Sequence, residues 1–158
     1  MLLPYVMQTP QGSGSSTSAA IEFSELEMRR SSTRRAQILV VDDDAAVCRM
    51  LQLALEIAGH DVTTISHARE AMAHLESSPV ELLITDLVMP DVEGIEIIMR
   101  VSQAYPKIPI VAISGEGADG PEEYLAIARL LGAHRTLSKP FDCRRLIAVV
   151  DELLPPDK

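Results

Sequence analysis

The chain has 158 residues, of which 47% are apolar, and a formal charge of −9 at pH 7. This length and apolar content suffice for the core of one domain and argue against a wholly disordered chain. The acidic balance argues against direct nucleic-acid binding, which depends on Lys and Arg neutralising phosphates.

The two cysteines, Cys48 and Cys143, are too few for a disulfide framework, and neither belongs to a CxxC or Cys/His cluster. We interpret them as buried or half-buried thiols in a reducing compartment. No apolar run in the sequence approaches the roughly 18 residues of a membrane span. Residues 1–7 lack the basic flank and long apolar stretch of an export signal, so we expect a cytoplasmic protein without membrane insertion.

Residues 1–35 differ in composition from the rest of the chain. Residues 11–18 (QGSGSSTS) have a linker composition, residues 29–35 (RRSSTRR) are a basic run, and residues 21–28 (IEFSELEM) could form only a short, marginal helix. Four arginines and three glutamates give this segment a charge of +1, so the remainder carries −10. We predict a flexible tail over 1–35, a domain over 36–154 and a short C-terminal end over 155–158.

From Gln37 onward, short apolar runs alternate with longer amphipathic stretches. The apolar runs predict five strands, at Ile38–Val41, Val62–Ile65, Leu82–Thr85, Ile108–Ile113 and Thr136–Ser138. The amphipathic stretches predict five helices, at Ala45–Ala58, His67–Glu76, Glu93–Ala104, Glu122–Leu131 and Cys143–Leu154. Regular alternation of strand and helix is typical of a parallel sheet with crossover helices, so the sequence predicts an α/β fold.

The composition of the strands predicts their order in the sheet. The first, third and fourth runs are almost continuously apolar, as expected of strands covered by helices on both faces. The second and fifth runs are half polar, which suits edge strands. With right-handed crossovers the order becomes 2-1-3-4-5, a doubly wound, flavodoxin-like sheet with a reversal between strands 1 and 3. Such sheets bind ligands at the carboxyl ends of the strands beside that reversal.

Acidic residues stand at the predicted strand ends. Asp42, Asp43 and Asp44 follow strand 1, and Asp86 follows strand 3. Carboxylates gathered at one edge repel one another and require a cation, and carboxylate oxygens suit Mg²⁺. Lys139 and Ser114 follow strands 5 and 4 on the same edge, and this combination indicates phosphoryl chemistry.

Simpler interpretations apply to some of these residues taken singly. Asp44 is more simply explained as the N-cap of the following helix. The conjunction of acids, lysine and hydroxyl at one edge is what favours a functional site over a structural one. The four histidines are His60, His67, His74 and His134. We interpret them as solvated residues rather than metal ligands, because no third ligand joins His67 and His74.

Four motifs in register give the chain a family resemblance. ILVVDDD (38–44), LLITDLVMPDVEG (82–94), IVAISG (110–115) and LSKPF (137–141) resemble the receiver domain of two-component response regulators, as in single-domain, chemotaxis-type regulators. The resemblance covers about residues 37–154.

This resemblance implies residue roles. Asp86 would be the phosphoacceptor, forming an acyl phosphate with a phosphoryl group from a phosphohistidine. Mg²⁺ would be bound by Asp43, Asp86 and the carbonyl of Val88, and mainly through water by Asp42. Lys139 and Ser114 would contact phosphoryl oxygens. Met89-Pro90 and Gly94 would shape the loop beneath the metal, and the Lys139–Pro140 bond would be cis.

The resemblance also implies partners and an output. The phosphoryl donor would be a histidine kinase or a histidine phosphotransfer protein. This chain would be a phosphoprotein of a phosphorelay rather than an enzyme. It would catalyse only its own phosphotransfer and slow autodephosphorylation. Movement of Ser114 would change the surface of helix 4, strand 5 and helix 5. That surface would bind a downstream protein and offers a face for homodimer formation.

One departure from the family pattern concerns the switch, and two further residues bear on the phosphoryl lifetime. Thr136 stands where the family usually has Tyr, Phe or His, so this position has no aromatic ring that could rotate. Val88 and Glu116 would flank the line of water attack, and an apolar Val88 should slow hydrolysis. Tyr124 is interpreted as a packing residue.

Two other functions fit parts of the sequence. Asp42 and Asp44 form a DxD pattern like that of phosphatases with an aspartate nucleophile, although Ala46 departs from that pattern and no later acidic metal motif accompanies Lys139. Phosphate on Asp42 rather than Asp86 would identify this class. A receiver-like binding module that works unphosphorylated is the third reading.

Overall fold

The computed structural model describes residues 34–90, 93–115 and 121–154. These residues form five strands, β1 (Gln37–Val41), β2 (Asp61–Ile65), β3 (Leu82–Asp86), β4 (Ile110–Ser114) and β5 (Arg135–Ser138). They also form five helices, α1 (Ala45–Ile57), α2 (Ala68–Ser77), α3 (Glu93–Ala104), α4 (Pro121–Leu131) and α5 (Cys143–Leu153). Residues 1–33 of the predicted tail, residues 155–158 and Glu116 lie outside the described residues.

The strands form one parallel sheet in the order β2-β1-β3-β4-β5, which confirms the predicted topology. Every residue of β3 and β4 is buried, whereas all of β2 is half-buried and β5 is partly exposed. The half-polar strands therefore occupy the edges, as their composition predicts.

Alternating side chains of the central strands supply two separate cores. In β1, Ile38 and Val40 join the core beneath α1 and α5, while Leu39 and Val41 join the core beneath α2, α3 and α4. Successive strand residues point to opposite faces of a sheet, so an unbroken apolar run is needed to supply both cores. Each buried aliphatic side chain contributes about 1.5–3 kcal/mol relative to exposure.

The α4–β5 connection depends on a glycine. Gly132 follows α4 with φ +119°, and a Cβ there would lie 2.6 Å from the Cβ of Ser102 on α3. The Ser102 hydroxyl donates to the carbonyl of Leu131 at 2.9 Å. The C-terminal end of α4 is thus packed directly on α3.

The observed element bounds differ from the predicted ones by at most two residues, and those of α3 are the same. The largest difference is at β4, predicted from Ile108 but beginning at Ile110. The amide of Ile108 donates to the Tyr105 carbonyl at 3.0 Å in a turn, and Pro109 has no amide hydrogen for the sheet.

The residues before β1 are tied to the amino-terminal edge of the sheet. Arg35 Nε donates to Asp61 at 2.7 Å, and the Gln37 side chain donates to the same carboxylate at 2.8 Å. The backbone amide of Gln37 donates to the Glu81 carboxylate at 3.0 Å, and Arg34 forms an ion pair with the same carboxylate. The chain therefore enters the domain beside Glu81, just beyond the end of α2.

None of the helices in the described part of the chain has the length and apolarity that a membrane span requires.

His60 corrects the interpretation of the histidines as solvated. It lies in the turn before β2 with only 3% of its surface exposed, and neither ring nitrogen has a hydrogen-bond partner. Burial lowers its pKa from the ordinary 6.5, although the charges of Asp151, Glu81 and Asp61 act in the opposite direction. His67 and His134 are exposed and His74 is half-buried.

We expect His60 to make folding stability depend on pH. Because its pKa is lower in the folded state, the unfolded chain binds the proton first, and the free energy of unfolding falls as pH decreases through about 6.5. His60→Gln should flatten this dependence in urea unfolding measured from neutral to mildly acidic pH, and the matched change His67→Gln at an exposed position should not. An unchanged slope in His60→Gln would contradict this account.

Candidate functional site: an acidic cluster at the carboxyl edge of the sheet

Three of the predicted acids meet at the carboxyl edge of the sheet. Val41 pairs with Thr85 in the β1–β3 register, which places the residues that follow, Asp42 and Asp86, side by side. One carboxylate oxygen from each of Asp42, Asp43 and Asp86 lies within 4.8 Å of the other two. Asp42 and Asp86 are 2% and 6% exposed, whereas Asp43 is exposed.

Lys139 joins the cluster from β5. Its Nζ lies 3.2 Å from Asp42 Oδ2 and 3.3 Å from Asp86 Oδ2. Burial of the ammonium group opposes its charge, but Asp86 and Asp42 outweigh that effect and raise the pKa of Lys139. The ammonium group therefore stays charged and bridges the two buried carboxylates.

Asp86 lies in an environment that disfavours its charge. Burial, together with the neighbouring Asp42, raises the pKa of Asp86, against the lowering effect of Lys139 and of the Val88 amide. The Val88 amide donates to Asp86 Oδ1 at 3.2 Å. One side of the carboxyl group is thus oriented by backbone and the other by Lys139.

The charges indicate which ion this site fits. Three carboxylates and one ammonium group leave a net charge of −2, which a divalent cation neutralises. An oxygen-only donor set with one solvent-exposed member suits Mg²⁺, which binds through one or two carboxylates and keeps several waters. The residues present therefore fit a magnesium ion.

Ser114 lies on the same edge but does not bond to the acids. It ends β4, is fully buried, and its hydroxyl donates to the carbonyl of Gly115 at 3.2 Å. Its own carbonyl accepts a hydrogen bond from the Lys139 amide at 2.7 Å. Ser114 and Lys139 are therefore linked through the backbone.

The third acid of the run, Asp44, is a helix cap, as predicted. Asp44 Oδ1 accepts hydrogen bonds from the amides of Ala46 and Val47 at 2.8 and 3.3 Å, and the Asp44 amide donates to Asp42 Oδ1 at 2.9 Å. The start of α1 therefore holds the Asp42 carboxylate in place.

Two contacts near the site were not anticipated. The Cys48 thiol lies 3.2 Å from the Asp42 carbonyl oxygen, towards which it donates, and Arg129 on α4 donates to the Thr136 hydroxyl at 2.5 Å. Each joins residues whose side chains give no motif, so only the packing of the helices on the sheet reveals them. Tyr124 packs half-buried against the core beneath α4, as predicted.

A half-open cavity of about 330 Å³ adjoins the acids on the β2 side, between α1 and the end of β2. Asp42, Asp43 and Arg49 are among its lining residues. Solvent therefore reaches Asp42 and Asp43 from this side.

Comparison with known proteins identifies the family of this chain. The response regulator receiver domain family matches residues 38–151. The chain is 36% identical to the DNA-binding transcriptional regulator NtrC of Rhizobium meliloti over 124 residues, covering 78% of this chain and 25% of NtrC. It is 34% identical to the response regulator receiver protein CpdR of Brucella abortus over 125 residues, covering 75% of this chain and 96% of CpdR.

The fold comparison gives the same result. The structure of the chemotaxis response regulator CheY4 of Vibrio cholerae superposes with a TM-score of 0.68 at 28% identity, covering 77% of this chain and all of CheY4. The chain belongs to the response regulator receiver domain family, which acts in two-component signalling and is not an enzyme family. It spans about a quarter of the length of the NtrC relatives it matches. The cis Lys139–Pro140 bond implied by the resemblance is present.

Gly94 explains how the loop after β3 can pass so close to the site. A Cβ at this position would lie 2.1 Å from the Asp86 carbonyl oxygen and 2.7 Å from Leu87 Cα. Both are backbone atoms that cannot move without displacing Asp86. Glycine is therefore the one residue whose size fits the first turn of α3 in this position.

We expect Gly94→Ala to destabilise the fold by about 1–3 kcal/mol, the usual cost of forcing extra atoms into a packed site. Gly115→Ala is the matched control, because its Cβ would meet the Lys139 side chain at an ordinary 3.7 Å. Urea unfolding of both variants measures the difference. Equal stability of the two would contradict the close approach at Gly94.

Proposed function

We propose that Asp86 accepts a phosphoryl group from a phosphohistidine, with Mg²⁺ bound by Asp42, Asp43, Asp86 and the Val88 carbonyl. The observation that carries the proposal is the bridging of two buried carboxylates by Lys139 within a cluster that still has a net negative charge. When bound, Mg²⁺ would neutralise charge on the acids and on the transferring group.

The chain's own residues would perform the transfer by positioning and charge. An Asp86 oxygen forms a bond to phosphorus while the bond between phosphorus and the donor's imidazole nitrogen breaks. The electron pair of the broken bond stays on that nitrogen. Lys139 turns from the carboxylates to a phosphoryl oxygen, and the Ser114 hydroxyl exchanges the Gly115 carbonyl for another oxygen. The phosphoryl group adds about −1.5 to −2 charges, which requires these donors.

The partners follow from this chemistry. The donor is a histidine kinase or histidine phosphotransfer protein, and the output is a protein that recognises the surface of α4, β5 and α5, where a homodimer could also form. Ile127 and Leu130 on α4 are exposed, the latter by 87%, and give the outer surface of this helix an apolar character. The proposal also assigns the chain to the cytoplasm, where free thiols such as Cys48 and Cys143 stay reduced.

Incubation with acetyl phosphate and Mg²⁺, followed by peptide mass mapping, tests the proposal. We expect one phosphoryl group on Asp86, which is lost in Asp86→Asn and absent when a chelator is added. Asp44→Asn is the matched control, because asparagine caps a helix as well as aspartate and this residue is outside the proposed metal site.

Two results would overturn the assignment. Phosphate on Asp42 would indicate the hydrolase mechanism with an aspartate nucleophile. A folded protein that stays unmodified with Mg²⁺ and donor present would support a module that binds its partner without phosphorylation.

The phosphoryl lifetime is a second measurable consequence. Val88 is 45% exposed beside Asp86, and its apolar side chain offers no hydrogen bond to an attacking water. We expect Val88→Asn to shorten the lifetime of the purified phosphoprotein severalfold, whereas Met99→Asn, at a similarly exposed apolar residue on α3, leaves it unchanged. A lifetime in Val88→Asn that matches the unaltered chain would count against this role.

A further inference from the structure

A groove of about 290 Å³ lies between α2 and α3, lined by Ala68, Arg69, Met72, Glu96, Ile97 and Arg100. Ile97 is fully buried and Met72 half-buried, so the base of the groove is apolar. Arg69 and Arg100 are exposed at its rim, and Arg100 pairs with Glu96 at 2.7 Å. The groove thus carries net positive charge in a domain whose overall charge is strongly negative.

The charge reverses below the groove, towards the amino-terminal edge of the sheet. Glu76 is exposed on the last turn of α2, and Glu81 follows the helix. The carboxyl end of a helix itself carries partial negative charge. A strip running from the groove down α2 therefore passes from positive to negative.

The chain before β1 has the complementary order of charges. Residues 21–28 (IEFSELEM) contain three glutamates and four apolar residues, and residues 29–35 (RRSSTRR) contain four arginines. The ion pair between Arg34 and Glu81 already fixes the end of the basic run beside the acidic end of α2. From that ion pair, a course along α2 towards its amino-terminal end would bring the glutamates to the arginines of the groove.

The connecting residues are long enough for this placement. From Met72 to the end of α2 the helix rises by about 8 Å, at about 1.5 Å per residue. Residues 29–33 can extend by about 17 Å, since an extended chain covers at most about 3.5 Å per residue. The extended segment is therefore about twice as long as the part of α2 that it would follow while Arg34 stays paired with Glu81.

We propose that residues 21–28 dock in the groove between α2 and α3 of the same chain. Their glutamates face Arg69 and Arg100, and their apolar side chains cover Met72 and Ile97. An occupant on the same chain is favoured over a separate protein, because a short tether gives an effective concentration in the millimolar range.

A nitroxide label attached to residue 24 of the full chain tests the docking. Ser24→Cys supplies the attachment point, and Cys143→Ser leaves only the buried Cys48 as a competing thiol. We expect the amide NMR signals of residues 68–72 and 96–100 to lose most of their intensity, and those of residues 146–150, on the opposite face, to keep it. At molar salt, where the Debye length is about 3 Å, much of the loss should disappear.

Charge reversal provides the matched control. Arg69→Glu with Arg100→Glu should abolish the intensity loss, while Arg49→Glu with Arg145→Glu makes the same change of charge on the α1 and α5 face and should not. Adding Glu22→Lys, Glu25→Lys and Glu27→Lys to the first pair should restore it.

Three results would overturn the proposal. The signals of the groove residues could keep the same intensity as those of α5. They could also lose as much intensity after the charges of Arg69 and Arg100 are reversed as they do in the unaltered chain. The loss could also appear undiminished when labelled chains are mixed with separate isotope-enriched chains, which would assign the groove to a second copy.

Discussion

Two buried carboxylates held together by one ammonium group are the constraint on which the rest of this site depends. Asp42 and Asp86 would repel each other, and burial disfavours the charge of each, so Lys139 must lie between them. The third acid, Asp43, remains exposed and leaves the cluster short of positive charge. The carboxyl edge of the sheet therefore has an excess of negative charge that favours binding of a cation. A magnesium-dependent phosphoacceptor requires this condition.

The fold keeps this unfavourable arrangement in place through backbone contacts around it. The β1–β3 register fixes the spacing of Asp42 and Asp86, and the Asp44 and Val88 amides donate to their carboxylates. Gly94 lets α3 start directly against the Asp86 carbonyl. The central strands are buried on both faces. The free energy gained by burying their apolar side chains in the two cores therefore offsets the cost of gathering carboxylates at the carboxyl edge.

Much of the fold and the site could be predicted from the sequence because both depend on local patterns. Unbroken apolar runs mark the central strands, half-polar runs mark the edges, and acids directly after a strand must lie at its carboxyl edge. The burial of His60 could not be predicted, since one histidine after a glycine turn carries no periodic signal. The hydrogen bond from the Cys48 thiol to the Asp42 carbonyl likewise depends on how α1 packs on the sheet.

The contact at Thr136 shows how one departure from a family pattern changes the physical link between β5 and α4. An aromatic ring at this position would couple the two elements by packing, and could do so in more than one rotamer. Here the Thr136 hydroxyl is held by Arg129, and the C-terminal end of α4 is fixed to α3 through Ser102 and Leu131. Ser114 precedes α4 in the chain, and its carbonyl accepts a hydrogen bond from the Lys139 amide. A displacement at Ser114 would therefore act on a helix whose C-terminal half is held by hydrogen bonds to α3 and to β5.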